Sequence, residues 1–270
     1  MSDQALVDKL ERVWRSLEEL GATLSEEEWK RPTDCPKWSV QDHLSHIVGT
    51  EATLLGRPAP EHTPQDMSHV KNDIARRNEI QVDWRRSRRG AEVLAEFREV
   101  TGERLRRLRA MTPEDFAAPT QTPVGPGTVR DFLEIRIFDC WVHEQDMRRA
   151  VGRPGHLEGP VAEHAVGRIA LAMPYVVGKK AQAPDGTTVV FEVTGPAGRT
   201  LAIGVEGRRA KPLETVPASP TVRLTMDVET FNCLGCGRWD PEWVLQQGKV
   251  RLSGDTALGE TIVRQMNFMI

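Results

Sequence analysis

Hydrophobic residues in the first half of the chain recur three and four positions apart, which is the spacing of one helix face. The first such segment carries Leu6, Leu10, Val13, Trp14 and Leu17. Further segments with this period are predicted as helices over 39–56, 64–83 and 91–111 and from 128 to about 150, with a Pro/Gly-rich loop over 119–127. Long helices with moderate connections predict a four-helix bundle.

Polar residues stand where these helices are expected to begin. Ser25 suits the N-cap of a short helix, and Thr112 followed by Pro113 suits another. Ser39 with Asp42 and Thr128 with Asp131 have the three-residue spacing of a capping box. The pattern therefore predicts helix starts as well as helix faces.

The period of the pattern changes after residues 152–155. One more amphipathic helix is predicted over 161–177, and alternating apolar and polar residues then predict strands over 187–193, 200–205, 221–226 and 250–255. Helices are predicted from 227, around 242 and after Asp255. We therefore predict an α+β protein, with a helical bundle over residues 1–155 and a small mixed α+β domain over 156–270.

The composition favours a globular protein that binds neither nucleic acid nor membrane. Hydrophobic residues make up 39% of the chain, and 36 basic against 39 acidic side chains give a formal charge of −3. A protein that binds phosphate backbones is normally basic. No signal peptide and no membrane span are expected, and we predict a cytoplasmic location.

The four cysteines are too few for a disulfide framework in a chain of this length. Cys233 and Cys236 form a lone CxxC with no second pair nearby. We interpret them as buried, reduced, structural thiols rather than as a redox or zinc motif.

The most informative polar residues are Asp139, His143 and Asp146, spaced i, i+4 and i+7 on one face of a predicted helix. A second helix that offers His46 would complete a three-ligand metal site with an open position. The alternative is structural, because Asp139 and His143 would also pair with each other one turn apart.

Three stretches of the chain together resemble the mycothiol-dependent maleylpyruvate isomerase family. They are the Trp38-Ser-Val-Gln-Asp-His-Leu-Ser-His46 stretch, the Asp139-x-x-x-His143-x-x-Asp146 helix, and the tail with Leu234-Gly-Cys-Gly-Arg238 and Gly254-Asp255. The family joins a DinB-like metal-binding four-helix bundle to a small domain like the sterol carrier proteins. The resemblance covers nearly the whole chain and implies this arrangement here.

The resemblance implies that His46, Asp139 and His143 are the metal ligands, with zinc preferred, and that mycothiol is the thiol used. The family usually has Glu where this chain has Asp139, so the helix must lie closer to the metal or a water must intervene. Arg238 is a further candidate catalytic residue, which would reach an anionic substrate from the second domain. Its structural alternative is an anchor between a loop and a carboxylate.

Neighbouring polar residues admit two interpretations each. His43 is either an alternate ligand or, as we favour, a residue that contacts the metal ligands without binding the metal, or that lies at the surface. Asp146 orients an imidazole or the substrate, or it pairs with Arg136, Arg148 or Arg149. The basic run 84–89 is interpreted as a solvated helix end, with steering of a carboxylated substrate as the alternative.

The sequence therefore predicts a metal-dependent enzyme whose partners are a low-molecular-weight thiol and a small electrophile. A mycothiol-dependent isomerase and a mycothiol S-transferase would use the same ligands, so both stay open. The second domain is expected to close one side of the active site rather than to carry lipid. The alternatives are a metal-dependent hydrolase and a non-catalytic protein that binds a hydrophobic ligand.

Overall fold

The computed structural model describes residues 2–207 and 209–269. The chain divides into two compact units, Met1–Gly155 and His156–Ile270. The first unit is helical and the second contains a sheet. The predicted α+β class, with a helical bundle followed by a mixed α+β domain, is confirmed.

The first unit contains seven described helices and one hairpin. The helices are α1 (Asp3–Gly21), α2 (Glu26–Trp29), α3 (Val40–Leu54), α4 (Asp73–Asp83), α5 (Gly90–Arg109), α6 (Pro113–Ala117) and α7 (Val129–Val151). The hairpin consists of β1 (Pro119–Thr122) and β2 (Gly125–Thr128).

Four long helices form the bundle, since α1 and α3 each pack against both α5 and α7. Leu6, Leu10, Val13 and Leu17 give α1 one buried face. By contrast, α3 and the second half of α7 are buried on nearly all sides and carry polar residues there. Buried polar groups require partners, so these two helices are where a polar site is expected.

The predicted helix starts are confirmed by hydrogen bonds. The side chain of Ser25 accepts from the backbone N–H of Glu28 at the start of α2. The carboxylate of Asp42 accepts from the backbone N–H of Ser39 at the start of α3, and Thr128 caps α7 with Asp131 in a capping box. Caps of this kind stabilise a helix by about 1 kcal/mol each.

Two predictions for the first unit are wrong. Residues 64–72 are not helical: none of them is buried, and Asn72 instead caps α4 at the N–H of Ala75. Residues 119–127 are not an irregular loop, because most of them belong to the β1–β2 hairpin, which Gly125 turns with a φ of +121°. That φ suits glycine, which has no Cβ.

The second unit contains a five-stranded sheet and four described helices. Its helices are α8 (Gly159–Tyr175), α9 (Val228–Gly235), α10 (Pro241–Gln246) and α11 (Thr256–Arg264), and a π-helical turn, Val176–Lys180, follows α8. Its strands are β3 (Thr188–Thr194), β4 (Arg199–Glu206), β5 (Arg209–Pro212), β6 (Val222–Asp227) and β7 (Arg251–Gly254).

The sheet has the order β5-β4-β3-β6-β7, in which β3 and β6 are parallel and the other neighbours are antiparallel. Val222, Leu224 and Met226 of β6 alternate with more exposed residues and face the core. The rings of Phe191 on β3 and Phe231 on α9 lie 6.3 Å apart, centroid to centroid. The core of this unit is therefore apolar.

Strand β5 was not predicted, because its four-residue Arg-Ala-Lys-Pro sequence contains no β-branched or aromatic residue. It lies at the edge of the sheet, where a proline and charged residues are tolerated. None of the helices in the described residues is long and apolar enough to cross a membrane.

Candidate metal centre in the helical bundle

Helices α3 and α7 bring the predicted ligands together. On α3, His43 and His46 are three residues apart, and on α7 the residues Asp139, His143 and Asp146 follow the predicted i, i+4, i+7 spacing. The imidazole rings of His46 and His143 lie 4.8 Å apart, and those of His43 and His143 lie 5.0 Å apart. His143 therefore lies between the other two histidines.

One group of possible ligands consists of His46, Asp139 and His143. The Nε2 atom of His46 lies 3.2 Å from Oδ2 of Asp139, and the Nε2 atom of His143 lies 3.4 Å from Oδ1 of the same carboxylate. Ligand atoms on a tetrahedral zinc ion lie about 3.3 Å from one another, given bond lengths of about 2.0–2.1 Å. Each imidazole nitrogen lies about this far from a carboxylate oxygen, and the possible ligand atoms of the three residues all lie within 4.8 Å of one another, which makes this group a candidate zinc site.

The shorter side chain at position 139 therefore does reach both imidazoles. Since Asp139 lies within 3.4 Å of the Nε2 atoms of His46 and His143, a glutamate is not needed to bring a carboxylate to this point. The contact between Asp139 and His143 that the structural alternative predicted is present as well, but it does not account for His46, which comes from another helix.

A second group shares His143 and adds His43 and Asp146. The two groups differ in access. The side chains of His43 and Asp146 are 0% exposed, whereas that of Asp139 is 23% exposed. A catalytic metal needs an open position, so access favours the group that contains Asp139.

Arg136 controls the charge of Asp139. Its Nη1 donates to Oδ2 of Asp139, and its Nε donates to Oε1 of the buried Glu51 at 2.8 Å. Burial alone would raise the pKa of Asp139, but Arg136, together with His46 and His143, holds that pKa well below its usual range. Asp139 is therefore a carboxylate, the form that binds a metal.

The two imidazoles of the Asp139 group are in different environments. Burial lowers the pKa of His46, although Asp139 opposes the effect. Burial would also lower the pKa of His143, but Asp139 and Asp146 outweigh it and the pKa is raised. In addition, Nδ1 of His46 has no hydrogen-bond partner among the described residues, whereas Nδ1 of His143 contacts His43.

Trp38 covers the three histidines, with its ring 5.4–5.7 Å from each imidazole. Its indole Nε1 donates to Oε2 of Glu79 on α4 at 3.0 Å. Glu79 is 1% exposed, and Arg86 and His69 lie 2.7 and 3.0 Å from its carboxylate. The sequence places Glu79 only within the helix predicted over 64–83, since its contact with Trp38 joins residues 41 positions apart.

The structure places Asp146 beside an arginine and an imidazole. Its Oδ1 accepts from Arg149, and its Oδ2 lies 3.6 Å from Nδ1 of His143. The predicted ion pair with Arg149 is therefore present, and an orienting role of Asp146 toward the imidazole stays a prediction. Arg148 pairs with Glu144 instead.

The basic run 84–89 is solvated only in part, since Arg89 is exposed but Arg85 is buried. Arg85 is 2% exposed and binds both carboxylate oxygens of Glu96, at 3.0 and 2.7 Å. Arg88 also binds Glu96, and Arg86 binds Asp42, so these cations are neutralised by carboxylates. The predicted helix end is confirmed, since α4 ends at Asp83. The predicted solvated face is only partly right, because the sequence does not show which acidic residues the fold brings to the arginines.

Arg238 and the CxxC pair belong to the second unit. Arg238 is half-buried in the loop after α9, and its Nη1 donates to the backbone carbonyl of Cys236 at 3.0 Å. A role for Arg238 toward a substrate stays a prediction. Cys233 and Cys236 are buried, as the structural interpretation expected. Cys140, beside Asp139, is buried as well, and burial raises the pKa of its thiol to about 12.

Two crystal structures of a maleylpyruvate isomerase share the fold of this chain. A crystal structure of the mycothiol-dependent maleylpyruvate isomerase aligns with a TM-score of 0.61 and 12% identity, over 94% of this chain and 93% of that one. A histidine-to-alanine mutant of that isomerase aligns with a TM-score of 0.59 and 13% identity, over the same shares. At these identities the likeness shows the fold.

A shorter structure, sterol carrier protein 2 like 2 from Aedes aegypti, aligns with a TM-score of 0.30 and 22% identity, over 36% of this chain and 93% of that one. No curated protein matches the chain significantly.

Two family matches cover most of the sequence. Residues 10–148 match the mycothiol maleylpyruvate isomerase N-terminal domain, and residues 163–261 match the C-terminal domain of the same family. The first match alone spans more than half of the chain and contains all five polar residues of the α3–α7 cluster. The chain therefore belongs to the mycothiol maleylpyruvate isomerase family.

Proposed function

We propose that this protein is a metal-dependent enzyme that uses mycothiol to act on a small electrophile. His46, Asp139 and His143 would hold the metal, with zinc preferred. The observation that supports the proposal most directly is the convergence of two imidazole Nε2 atoms on one carboxylate, at 3.2 and 3.4 Å, from two helices. Three protein ligands and partial exposure are typical of a catalytic zinc site.

A bound zinc ion would stabilise the thiolate form of a thiol at its open position. The protein's own residues prepare that site. Arg136 holds Asp139 ionised and fixes its orientation. Trp38 covers the imidazoles and keeps water from that side of His46 and His143. The thiol of Cys140 stays protonated, so it does not compete as a nucleophile.

The reaction that we favour is cis–trans isomerisation. The thiolate adds to one carbon of a cis double bond conjugated to a carbonyl, the resulting single bond rotates, and the thiolate leaves as the double bond forms again. No atom is gained or lost by the substrate in this sequence. If the thiol stays attached and a proton is added, the same first step makes the protein an S-transferase, so product analysis separates the two.

The metal assignment is tested by mass spectrometry of protein purified without a His tag or added metal. We expect about one zinc per chain in the wild type and its loss in His46→Ala and in His143→Ala. His62→Ala is the matched control, because His62 pairs with Asp83 outside the cluster, and it should retain zinc. Tight zinc binding by both ligand variants would overturn the assignment.

The thiol requirement is tested by turnover of small cis-alkenyl keto acids with and without mycothiol. We expect turnover only with the thiol. Turnover without any thiol would indicate that the metal activates water and that the protein is a hydrolase. Arg238→Ala is expected to raise KM for an anionic substrate without changing the zinc content, and an unchanged KM would remove Arg238 from the site.

A further inference from the structure

The connection between α3 and α4 supplies no candidate metal ligand, yet it contacts the wall of the candidate site. We call its residues 58–71 the strap. None of the strap side chains, all of which lie in the described part of the chain, is buried. A segment without buried apolar contacts opens more easily than the helices around it, so the position of the strap depends on polar contacts with the rest of the bundle.

Two histidines tie the strap to α4. Nε2 of His62 lies 2.7 Å from Oδ2 of Asp83, and Nε2 of His69 lies 3.0 Å from Oε2 of Glu79. The backbone N–H of Gln65 also donates to Oδ2 of Asp83, at 3.3 Å. Because Glu79 and Asp83 are one turn apart on α4, the two histidines hold the strap along one face of that helix.

The two carboxylates of α4 differ in what else they hold. Arg86 lies 2.7 Å from each of them. Of the two, Glu79 alone contacts Trp38 among the described residues: Nε1 of Trp38 donates to Oε2 of Glu79 at 3.0 Å. This is the same oxygen that His69 contacts. The strap and the indole of Trp38 therefore meet on one atom.

His69 is the more exposed member of its pair with Glu79. The side chain of Glu79 is 1% exposed, whereas that of His69 is 16% exposed. A hydrogen bond is stronger in a dry environment than where water competes for it. Removal of the imidazole of His69 would let water reach Oε2 of Glu79 and would weaken the hydrogen bond that holds the indole of Trp38.

Trp38 forms a wall between the imidazoles and a cavity. Its ring lies 5.4–5.7 Å from each of the imidazoles of His43, His46 and His143. Trp38 also lines a cavity of about 370 Å³, and none of these three histidines is among the described residues that line it. A shift of the indole would therefore open the imidazoles toward the cavity.

We propose that the strap is a gate on this cluster of histidines. While His69 covers Glu79, the indole of Trp38 stays on the imidazoles. When the strap opens, the indole is free to move, and small molecules reach the imidazoles from the cavity. His69 and Glu79 are positioning residues of this gate, because they act on the imidazoles through Trp38. The gate goes beyond the proposed function, since it concerns access to the cluster and requires no metal.

The position of Trp38 can be followed in metal-free protein by ¹H–¹⁵N spectra of the indole N–H groups, with the Trp38 signal assigned from Trp38→Phe. In His69→Ala we expect this signal to shift and its N–H to exchange with solvent about 10-fold faster, which is the size expected when a hydrogen bond to a charged group is weakened. His69→Gln keeps an N–H donor in the side chain, so it should restore much of the wild-type exchange rate.

His62→Ala is the matched control, because His62 ties the same strap to Asp83 rather than to Glu79. It should leave the signal of Trp38 and its exchange rate unchanged. The gate is overturned if His69→Ala leaves both unchanged. It is also overturned if His62→Ala and His69→Ala change them equally, because general loosening of the strap would then account for the effect.

Access to the cluster is measured by the transfer of bound zinc to a chelator. His69→Ala should release zinc about 10-fold faster than the wild type, because release requires the same opening as exchange of the indole N–H. His62→Ala should release zinc at the wild-type rate. Equal rates in the wild type and His69→Ala would overturn the gate even if the enzyme uses zinc and thiol. If no zinc binds but the indole exchanges as expected, the proposed metal site fails and the gate stands.

Discussion

The interiors of the two units differ in kind. In the described part of the second unit, the buried polar residues are Thr187, Thr230 and Asn232, and none is charged. The interior of the first unit holds three histidines and many ionisable side chains, namely Asp42, Glu51, Glu79, Arg85, Arg104, Arg136, Glu144 and Asp146. Both units are nevertheless built around well-buried aliphatic and aromatic residues.

Buried charges are not needed to stabilise a fold of this size, because an apolar core of similar volume is often as stable or more so. Clusters of buried ionisable groups are found preferentially at functional sites. In the first unit they surround α3 and α7, where the candidate ligands lie. The difference therefore supports the helical bundle as the place of the proposed metal site, and it gives the interior of the second unit no comparable group of residues.

The largest effect is expected from Glu51→Ala. Glu51 is 1% exposed and accepts from Nε of Arg136 at 2.8 Å and from Nε of Arg104 at 3.3 Å. Its removal leaves two buried guanidinium groups short of a partner, so the free energy of unfolding should fall by about 3–5 kcal/mol. Urea denaturation measures this change.

The matched control for Glu51 lies in the second unit. Glu192 is 41% exposed and lies 4.0 Å from Arg223, so Glu192→Ala should change the free energy of unfolding by less than about 1 kcal/mol. If Glu51→Ala and Glu192→Ala lower the free energy of unfolding by the same amount, the interiors of the two units do not differ in the way proposed.

Much of the fold could be predicted from the sequence because its determinants are local. The period of apolar residues and the caps at Ser39 and Thr128 depend on residues a few positions apart. The errors arose where local pattern is weak. In the segment 64–72 no side chain is buried, so no packing stabilises a helix there. Strand β5 forms through its pairing with β4, which the sequence of β5 alone does not show.

The candidate ligands could also be predicted, since His46 lies in a recognisable motif and Asp139 and His143 share a helix face. Their neighbours could not. Thr33 contacts His43, and Glu51 contacts Arg136 across 85 positions. A sequence does not show which of its 39 acidic residues the fold pairs with a given arginine. The hydrogen bonds and ion pairs around the candidate ligands could therefore be identified only from the structure.

Substitution of Asp139 tests the site within the first unit. Asp139→Ala removes a proposed ligand, so zinc affinity should fall by more than about 100-fold. Removal of a residue that only contacts a ligand typically lowers metal affinity by about 100-fold at most. Asp139→Glu should retain zinc, because it restores the residue usual in the family. Competition with a chelator of known affinity measures both. Unchanged affinity in Asp139→Ala would mean that the third ligand lies elsewhere.

A smaller effect is expected from Glu79→Gln. The change weakens the contacts of a buried carboxylate with Arg86, His69 and the indole of Trp38, at a cost of about 1–3 kcal/mol in the free energy of unfolding. Because Trp38 packs on His46 and His143, zinc affinity should also fall, though less than in Asp139→Ala.

Asp83→Asn is the control for Glu79→Gln. Asp83 also pairs with Arg86, at 2.7 Å, and with His62 rather than Trp38. It should lower stability and leave zinc affinity unchanged. A fall in zinc affinity as large as that of Glu79→Gln would show that general loosening of the bundle, and not the position of Trp38, is responsible.

The smallest effect on stability is expected when the two cysteines of the CxxC motif in the second unit are replaced. Cys233 and Cys236 are buried in an interior without buried charges among its described residues. Replacement of each by alanine removes one buried atom, so each should cost about 1 kcal/mol of stability and leave zinc content and thiol-dependent turnover unchanged.

Because the pair has the spacing of a metal or redox motif, the double variant is the most direct test of the difference between the two interiors. A loss of zinc or of turnover in a folded double variant would place chemistry in the second unit and contradict the division of roles between the two interiors.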